Sequence, residues 1–395
     1  MRESKLHGIF LVIAAALALA FAGCARDDAP EAETPGPAPE AAQTIGDHEI
    51  WALDQGTHKL WIYDAALEEL ARIDLGEHGV RTPHMIDFTS DYRYAFIAST
   101  GSGDVTVMRT EDREIVEIIE TGPRTHMAGV SPDDSRVLVD VIGSPDAHRD
   151  GEVVEILLDL DAERFEIGRR LTLADDALLS EREAQFNDFA PICHEYTRDG
   201  QHAWITLGPG LDDGGLLVLD VDAFEVVEAW GPEQLQVNCG TMPTADGKHM
   251  FVNGGGHGVG KWYVFDTRSL EKVHEADSRG EDAHGVWLTP DGREMWMVNR
   301  ITDNAIIIDA ESFEIIDEMD YVGATPDIMG MSPDGSHAYI TLRGPNPVSA
   351  PHVAVGETPG FAVVDVRERR LVGVIEPDEG NEDSDFHGIG VRPLK

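Results

Sequence analysis

Basic residues are scarce in this chain of 395 residues. There are 30 lysines and arginines against 74 aspartates and glutamates, so the formal net charge is -44. A surface with this excess of negative charge repels the phosphates of nucleic acids and of anionic lipids. We therefore predict that nucleic acid is not a partner of this protein.

Cysteine is equally scarce, with three residues in total. No CxxCH motif for haem attachment and no cupredoxin-type copper motif occurs. GxSxG, HExxH and Walker motifs are also missing, which removes the usual signals of a serine hydrolase, a zinc protease or an NTPase. Cys193 and Cys239 could form a disulfide, act as two thiol ligands, or provide one ligand. The sequence leaves this open, because a bridge requires Cα atoms closer than about 7 Å.

The only long apolar run lies at the N-terminus, in the stretch MRESKLHGIFLVIAAALALAFAGC. Arg2 and Lys5 precede the run and small residues follow it, as in a secretory signal. The run is too short for a membrane-spanning helix with its usual flanks. We therefore predict a cleaved signal over residues 1–23.

The last four residues of this stretch, FAGC, resemble the lipobox of bacterial lipoproteins. The resemblance implies cleavage before Cys24 and lipid attachment to that cysteine. Because Ala25 rather than an aspartate follows, it also implies an anchor in the outer membrane, facing the periplasm. Residues 24–45 are rich in Pro, Ala and Glu, cannot bury enough apolar surface to fold, and are predicted to be a disordered tether.

One phrase recurs along the rest of the chain: a short strand, a tight turn rich in Pro, Asp and Gly, and a β-branched or aromatic strand. Two copies are AHGVWLTPDGREMWMVN and PDIMGMSPDGSHAYITL, and hairpins such as DNAIIIDAESFEIIDEM separate the copies. Two strands plus two strands predict a four-stranded antiparallel unit. The equivalent anchor positions in the phrase are His84, His126, Ile192, Cys239, His284, Asp327 and His387.

Seven anchors, most of them about 40–45 residues apart, predict an all-β, seven-bladed β-propeller over residues 46–395. The chain stops after a first strand, HGIGVRP, whereas the segment EIWALDQGTHKLWIYDAALEELARIDL supplies three strands that have no first strand before them. Together these strands complete one blade. The N- and C-terminal strands are therefore predicted to share a blade and to close the ring without an open sheet edge.

The phrase SPDG followed by AYIT, with its hairpin NAIIIDAESFEIIDEM, resembles the YVTN family of propeller repeats in secreted bacterial and archaeal proteins. The resemblance covers residues 49–393 and implies the fold. It says little about activity, because propellers have many unrelated functions. Nitrous oxide reductase and the haem domain of periplasmic nitrite reductase have similar propellers.

The anchor residues are predicted to lie together at the mouth of the central channel, because the first strand of each blade lines it. Four anchors are histidines although only 16 of the 395 residues are histidine. Where blade three has Ile192, His194 follows on the same face of the strand. Neutral imidazole binds copper, zinc and iron, with a thiolate or carboxylate beside it. The predicted metal ligands are His84, His126, His194, His284 and His387, with Cys239 and Asp327 as auxiliaries.

Other polar residues are predicted around this ring. Asp282 and Asp385 each precede a ring histidine by two residues and could orient its imidazole. Rim positions are assigned to Cys193, His257, Arg300 and Arg343. Long insertions in blades two and six are expected on the same face, which makes it a surface for a small molecule or an envelope protein.

Three functions follow from these features. The first is a transition-metal or redox protein, with copper favoured and iron or zinc as alternatives; as an enzyme it would be an oxidoreductase. The second is a non-catalytic binding scaffold of the cell envelope, whose channel histidines bond only to water and backbone. The third is a cofactor-maturation protein similar to haem-domain propellers, in which the ring holds a haem-type tetrapyrrole.

Overall fold

The structure, a computed structural model, describes residues 47–147, 149–208, 214–255, 258–350 and 354–394. The predicted signal, the tether, Cys24 and His257 lie outside these residues, so the predictions made for them remain predictions. Within the described part, no helix is both long and apolar enough to cross a membrane.

Each recurring phrase forms the first two strands of a sheet, and each hairpin forms the third and fourth. The strands before the first complete sheet are β1 (His48–Asp54), β2 (Lys59–Asp64) and β3 (Glu69–Asp74). Blade one has β4 (Pro83–Phe88), β5 (Tyr94–Ser99), β6 (Asp104–Arg109) and β7 (Glu114–Glu120). Blade two has β8 (Thr125–Val130), β9 (Arg136–Val141), β10 (Glu152–Asp159) and β11 (Arg164–Thr172). Blade three has β12 (Ala190–Tyr196), β13 (His202–Gly208), β14 (Gly215–Asp220) and β15 (Glu225–Trp230).

The remaining blades repeat the pattern. Blade four has β16 (Thr241–Pro243), β17 (His249–Gly254), β18 (Val259–Asp266) and β19 (Lys272–Glu281). Blade five has β20 (Ala283–Leu288), β21 (Glu294–Asn299), β22 (Asn304–Asp309) and β23 (Ile315–Met319). Blade six has β24 (Pro326–Met331), β25 (His337–Leu342), β26 (Gly360–Asp365) and β27 (Arg370–Ile375), and the last strand is β28 (Phe386–Pro393). The short helical segments are α1 (Ala177–Glu181) and three 3-10 turns, Leu75–His78, Leu173–Asp175 and Glu183–Gln185.

The described strands form seven four-stranded antiparallel sheets, which confirms the predicted fold class. The seventh blade has the order β28-β1-β2-β3, so strands from both ends of the chain share it as predicted. In this blade Ile50 pairs with Val391 and Trp51 with Gly390. Each first strand contacts the first strand of the next blade, and β28 contacts β4. The ring is therefore closed, and the first strands surround its axis.

The acid-rich turns explain how the phrase folds locally. In blade five the Asp291 carboxylate accepts hydrogen bonds from the Thr289 hydroxyl at 2.7 Å and from the Arg293 backbone N–H at 3.1 Å. Gly292 takes a positive φ of 74°, which glycine adopts without steric cost. The side chains of this turn therefore satisfy the backbone groups that the strand ladder leaves free.

Apolar side chains fill the space between neighbouring blades. Between blades five and six, for example, Trp296 and Ile307 pack with Ile340 and Ala362. The second and third strands are almost fully buried, whereas the fourth strands alternate between exposed and buried positions. The packed blades hold the first strands, and the residues at their starts, in a fixed ring.

Candidate functional site at the channel mouth

The starts of the first strands enclose a cavity of about 450 Å³, here called the first cavity. Four predicted ring histidines line it, and Ile192, Cys239 and Arg300 line it with them. Its volume lies within the range of about 300–1,000 Å³ that is typical of small-molecule sites. The ring position inferred from the repeat therefore marks a real concave site. The four histidines are His84, His126, His284 and His387.

A backbone kink precedes the ring position in four blades. The residue two positions earlier has a positive φ in each case: Thr82 at 52°, Arg124 at 57°, Asp282 at 60° and Thr325 at 51°. A left-handed conformation costs a non-glycine residue about 1–2 kcal/mol, and such strain is often found at functional sites. In each of these blades the kink changes the direction of the chain where the first strand begins, just before the residue that faces the axis.

Three of the imidazoles form a connected row. The rings of His387 and His84 stack with centroids 3.7 Å apart, and Nε2 of His84 lies 2.9 Å from Nε2 of His126. Nδ1 of His84 donates to Oε1 of Gln55 at 2.7 Å, which leaves its Nε2 as the acceptor for His126. This tautomer is inferred from the hydrogen bonds. His84 and His126 therefore satisfy each other and lie beside the remaining ring residues.

His284, Asp327 and His387 form a separate set that could hold a metal ion. One ligand atom from each lies within 4.8 Å of the other two, and all three residues are buried. Nδ1 of His284 is 3.1 Å from Oδ1 of Asp327, and Nε2 of His387 is 3.6 Å from Oδ2. The first contact is close, yet it lacks hydrogen-bond alignment, and His284 Nδ1 is a buried atom without a hydrogen-bond partner. An unpaired buried nitrogen beside a carboxylate suits a cation between them.

A chain of ion pairs lies behind this set. Nε of Arg300 contacts Asp282 at 2.6 Å, and its Nη1 contacts Asp327 at 3.3 Å. Arg343 contacts Asp327 at 2.8 Å and Asp385 at 2.7 Å. The five side chains are at most 4% exposed. Three carboxylates thus face two guanidinium groups, and one negative charge in this buried chain has no arginine to balance it.

The electrostatics keep the imidazoles neutral. Burial lowers the pKa of His126 to about 3 and that of His387 to about 4, against the opposing effect of the Asp327 carboxylate. Burial likewise lowers the pKa values of His84 and His284 well below the usual range. Burial alone would raise the pKa of Asp327, but the imidazoles and the two guanidinium groups hold it well below its usual range. The site therefore presents neutral imidazole nitrogens next to an ionised carboxylate, the forms that bind metal.

The two ring cysteines form a disulfide. Cys193 in β12 is bonded to Cys239, which precedes β16, and their Cα atoms are 5.2 Å apart. The question left open by the sequence is answered, and Cys239 offers no thiolate as an auxiliary ligand. The bridge forms part of the wall of the first cavity, with Sγ of Cys193 3.9 Å from Nδ1 of His126.

His194 is not brought to the predicted ligand set. Two residues along a strand correspond to about 6.6 Å, so His194 lies deeper in the channel than Ile192, which occupies the ring position. Its Nδ1 is 2.7 Å from a carboxylate oxygen of Asp140 in the neighbouring blade. It lines a different cavity.

The other predicted residues have mixed outcomes. Asp282 and Asp385 are at the site, but their carboxylates bind the guanidinium groups of Arg300 and Arg343 rather than a ring imidazole. Gln55, which bridges His84 and Asp385, was not among the predicted site residues. The one sequence feature that could have indicated it is its position directly after β1, the first strand from the N-terminus in the closing blade. The blade-six insertion reaches the cavity through Val348, Ser349 and Ala350.

No protein-family model and no curated protein matches this sequence. Solved structures do resemble the fold. Hydrazine synthase of Kuenenia stuttgartiensis has 14% identity, with 87% of this chain and 99% of that chain covered and a TM-score of 0.56. The dihydro-heme d1 dehydrogenase NirN, solved in complex with DHE, has 15% identity and a TM-score of 0.53, with 90% of this chain and 77% of that chain covered. The β-propeller domain of Cps50 (Swd1) from Myceliophteria thermophila has 11% identity and a TM-score of 0.53, with 77% of this chain and 95% of that chain covered. At these identities the likeness shows the fold alone, and the chain is a seven-bladed β-propeller.

Proposed function

We propose that the first cavity binds a transition-metal ion through His284, Asp327 and His387. The observation that carries the proposal is the buried, unpaired Nδ1 of His284, within 3.1 Å of the Asp327 carboxylate. Neutral imidazoles are the ligand form that metals require, and burial keeps both rings neutral. The open side of the set faces a cavity in which a small molecule could bind.

Charge balance supports a cation here. The buried carboxylates outnumber the guanidinium groups of Arg300 and Arg343, and neutral imidazoles add no positive charge. A cation beside Asp327 supplies the missing charge, while the two arginines hold the carboxylate in place. Partners that fix a ligating carboxylate are commonly as important to a metal site as the ligands themselves.

The ligand types favour iron(II). Two imidazoles and one carboxylate with open positions are the set that non-haem iron(II) oxygenases use. Copper was favoured from the sequence, but the disulfide removes the soft thiolate ligand that Cys239 would have offered to it. A redox-active iron site makes an oxidoreductase the natural reaction class. Copper and zinc are the alternatives that the experiment distinguishes.

The test is metal analysis of protein purified without an affinity tag or chelator and reconstituted anaerobically with iron(II), copper or zinc. We expect stoichiometric iron in the native protein and loss of the metal in the His284→Ala/His387→Ala double variant. The matched control is His202→Ala/His337→Ala, which removes two half-buried histidines remote from the cavity. Equal metal in both variants, or none in the native protein, would contradict the proposal, provided that circular dichroism shows folded variants.

A haem-type tetrapyrrole is the second candidate. It is supported by the resemblance to NirN, whose structure is a complex with DHE, and by the imidazoles around the first cavity. The residues fit in chemistry, because an imidazole is a common axial ligand of haem iron. Titration with haem separates the two candidates: a Soret band that depends on His284 and His387 supports the tetrapyrrole. A colourless protein without metal would instead support a binding scaffold.

We propose further that the protein is an exported YVTN-type lipoprotein held at the outer membrane through Cys24. The support is the signal-like stretch with its FAGC ending and the acidic tether that follows. On this proposal, the first cavity with its blade-six loop faces the periplasm and binds a small molecule or an envelope protein. A Cys24→Ser variant should move the protein from the membrane fraction to the soluble periplasmic fraction, and unchanged membrane association would contradict the anchor.

A further inference from the structure

The channel has a second opening with a different chemistry. Toward the ends of the first strands lies a cavity of about 790 Å³, here called the second cavity, and no described residue lines both cavities. Four methionines line it: Met85, Met127, Met242 and Met331. Phe88 and Trp287 add aromatic surface. Flexible thioethers and aromatic rings form adaptable apolar walls, and methionine is common at surfaces that accept varied ligands.

Two carboxyl groups stand in these apolar walls without a cationic partner. Asp87 accepts hydrogen bonds from the backbone N–H groups of Phe88 and Val130, both at 2.8 Å. Glu195 accepts one from the backbone N–H of Tyr196 at 3.2 Å. Within the described chain, no arginine or lysine forms an ion pair with either group. Leaving carboxylates in an apolar cavity without a counter-charge is costly, and a bound cation would remove that cost.

The basic groups of this cavity are engaged elsewhere. Arg198 is exposed, and its guanidinium donates to the carbonyl oxygens of Pro243 and Thr244. His194 lies 2.7 Å from Asp140, and that pair balances its own charge. Neither group forms an ion pair with Asp87 or Glu195, although the charges of both lower the pKa of Glu195.

A second observation points to a polar ligand in the same place. Nε2 of His194 is buried and has no hydrogen-bond partner, although the residue is only 2% exposed and lines the second cavity. Asp140 accepts from Nδ1–H and, against the effect of burial, raises the pKa of His194, so in the imidazolium form Nε2–H is left to donate to a ligand oxygen. It lies against Gly129, where a Cβ atom would come within 2.5 Å, so the sequence leaves room for it.

We infer that the second cavity binds an organic ammonium compound with an apolar or aromatic body and an oxygen acceptor. Asp87 and Glu195 would face the ammonium group, His194 Nε2 would donate to the oxygen, and the methionine and aromatic walls would hold the body. Burial, reinforced by Asp87, raises the pKa of Glu195 to about 7 in spite of His194 and Arg198, which agrees with a carboxyl group that has no ion-pair partner in the free protein. The inference does not depend on the metal site, because the two cavities share no lining residue.

The test uses benzoylcholine, which combines a quaternary ammonium, an ester oxygen and an aromatic ring, in calorimetric titrations of the full chain. Because the protein is strongly negative, it attracts cations non-specifically, so a matched control is essential. Glu195→Gln and the exposed control Glu311→Gln each replace one carboxyl group with an uncharged amide. We expect Glu195→Gln to weaken binding about tenfold and Glu311→Gln to leave it unchanged, because only a contact within the cavity distinguishes them.

Further comparisons decide the inference. The uncharged isostere 3,3-dimethylbutyl benzoate should bind at least about tenfold more weakly than benzoylcholine if the carboxyl groups recognise charge. Equal binding to both glutamate variants, or no saturable binding, would overturn the inference. If Glu195→Gln does not fold, Trp287→Leu tests the apolar wall of the cavity instead, and unchanged binding would overturn it. The His284→Ala/His387→Ala variant should bind benzoylcholine normally, which separates this result from the fate of the metal site.

Discussion

At one end of the channel Asp327 lies between Arg300 and Arg343, and at the other Glu195 lies among methionine and aromatic side chains. Both are carboxyl groups on first strands of the same repeat. Cationic neighbours hold the pKa of Asp327 well below its usual range against burial, whereas burial and Asp87 raise that of Glu195 to about 7. The contrast shows that the surroundings, and not the repeat, decide what an acidic residue in this channel can do. It predicts opposite responses when charges are removed at the two ends.

The largest effect is expected from Arg343→Met, which would break the buried ion-pair chain at the first cavity. Asp327 and Asp385 would remain buried without their main partner, and loss of one member of such a pair costs about 3–5 kcal/mol of unfolding free energy. Chemical denaturation measures this loss. Arg164→Met is the control, because its pair with Asp159 is exposed and such pairs contribute about 0–1 kcal/mol. A similar small loss in both variants would show that the chain is not a stabilising network.

The disulfide between Cys193 and Cys239 gives the next largest effect. The Cys193→Ser/Cys239→Ser variant should lose about 3 kcal/mol, because the bridge closes a long loop in the unfolded chain. Thermal denaturation with and without a reductant measures the loss, since the reductant should destabilise only the native protein. Metal content should remain unchanged, because neither cysteine belongs to the proposed ligand set. Loss of metal in the folded variant would show that the bridge also shapes the site.

The third prediction from the contrast between the two ends concerns the pH dependence of folding stability. Glu195 has a raised pKa in the folded protein, so its protonated form stabilises the fold at low pH. That stabilisation is present below the unfolded pKa near 4.5 and is lost as the pH rises to about 7. Asp87 strengthens the shift, and His194 and Arg198 oppose it.

Relative to the native protein, Glu195→Gln should therefore gain stability as the pH rises from about 4.5 to about 7, by about 3 kcal/mol in total. Denaturant titrations at intervals across this range measure the difference. The control is Glu311→Gln, which makes the same substitution at an exposed position. A difference that does not vary with pH would mean that Glu195 is not the group responsible.

The fold was predictable from sequence because the same strand, turn and strand phrase recurs once in each blade. The turn centred on Asp291 and Gly292 recurs, and each copy places an anchor residue at the start of a first strand. The four ring histidines were found in this way, since a period of one blade brings distant residues to one axis. The closing blade followed from counting strands at the two chain ends.

The details of the site were not predictable, because they depend on side chains outside the repeat phrase. Arg343 and Gln55 enter from loops, and nothing in their local sequence indicates that they meet at Asp385. His194 was placed in the ring by the two-residue periodicity of a strand. That rule gives the face of the strand correctly but not the depth along the channel. The ring position in blade three belongs to Ile192, and His194 serves the second cavity instead.

The smallest effect concerns the kink before the ring position. Thr82 has a φ of 52° and lines the first cavity, so Thr82→Gly relieves the strain of the left-handed conformation without removing an ion pair. The gain of about 1–2 kcal/mol is largely offset by the greater freedom of glycine in the unfolded chain, leaving the variant about 0.5 kcal/mol more stable. Thr100→Gly, at a position outside the left-handed region, should instead lose stability, and precise thermal denaturation separates the two. If Thr82→Gly is destabilised as much as Thr100→Gly, the kink carries no strain, and the four-fold recurrence of positive φ is a feature of the turn alone.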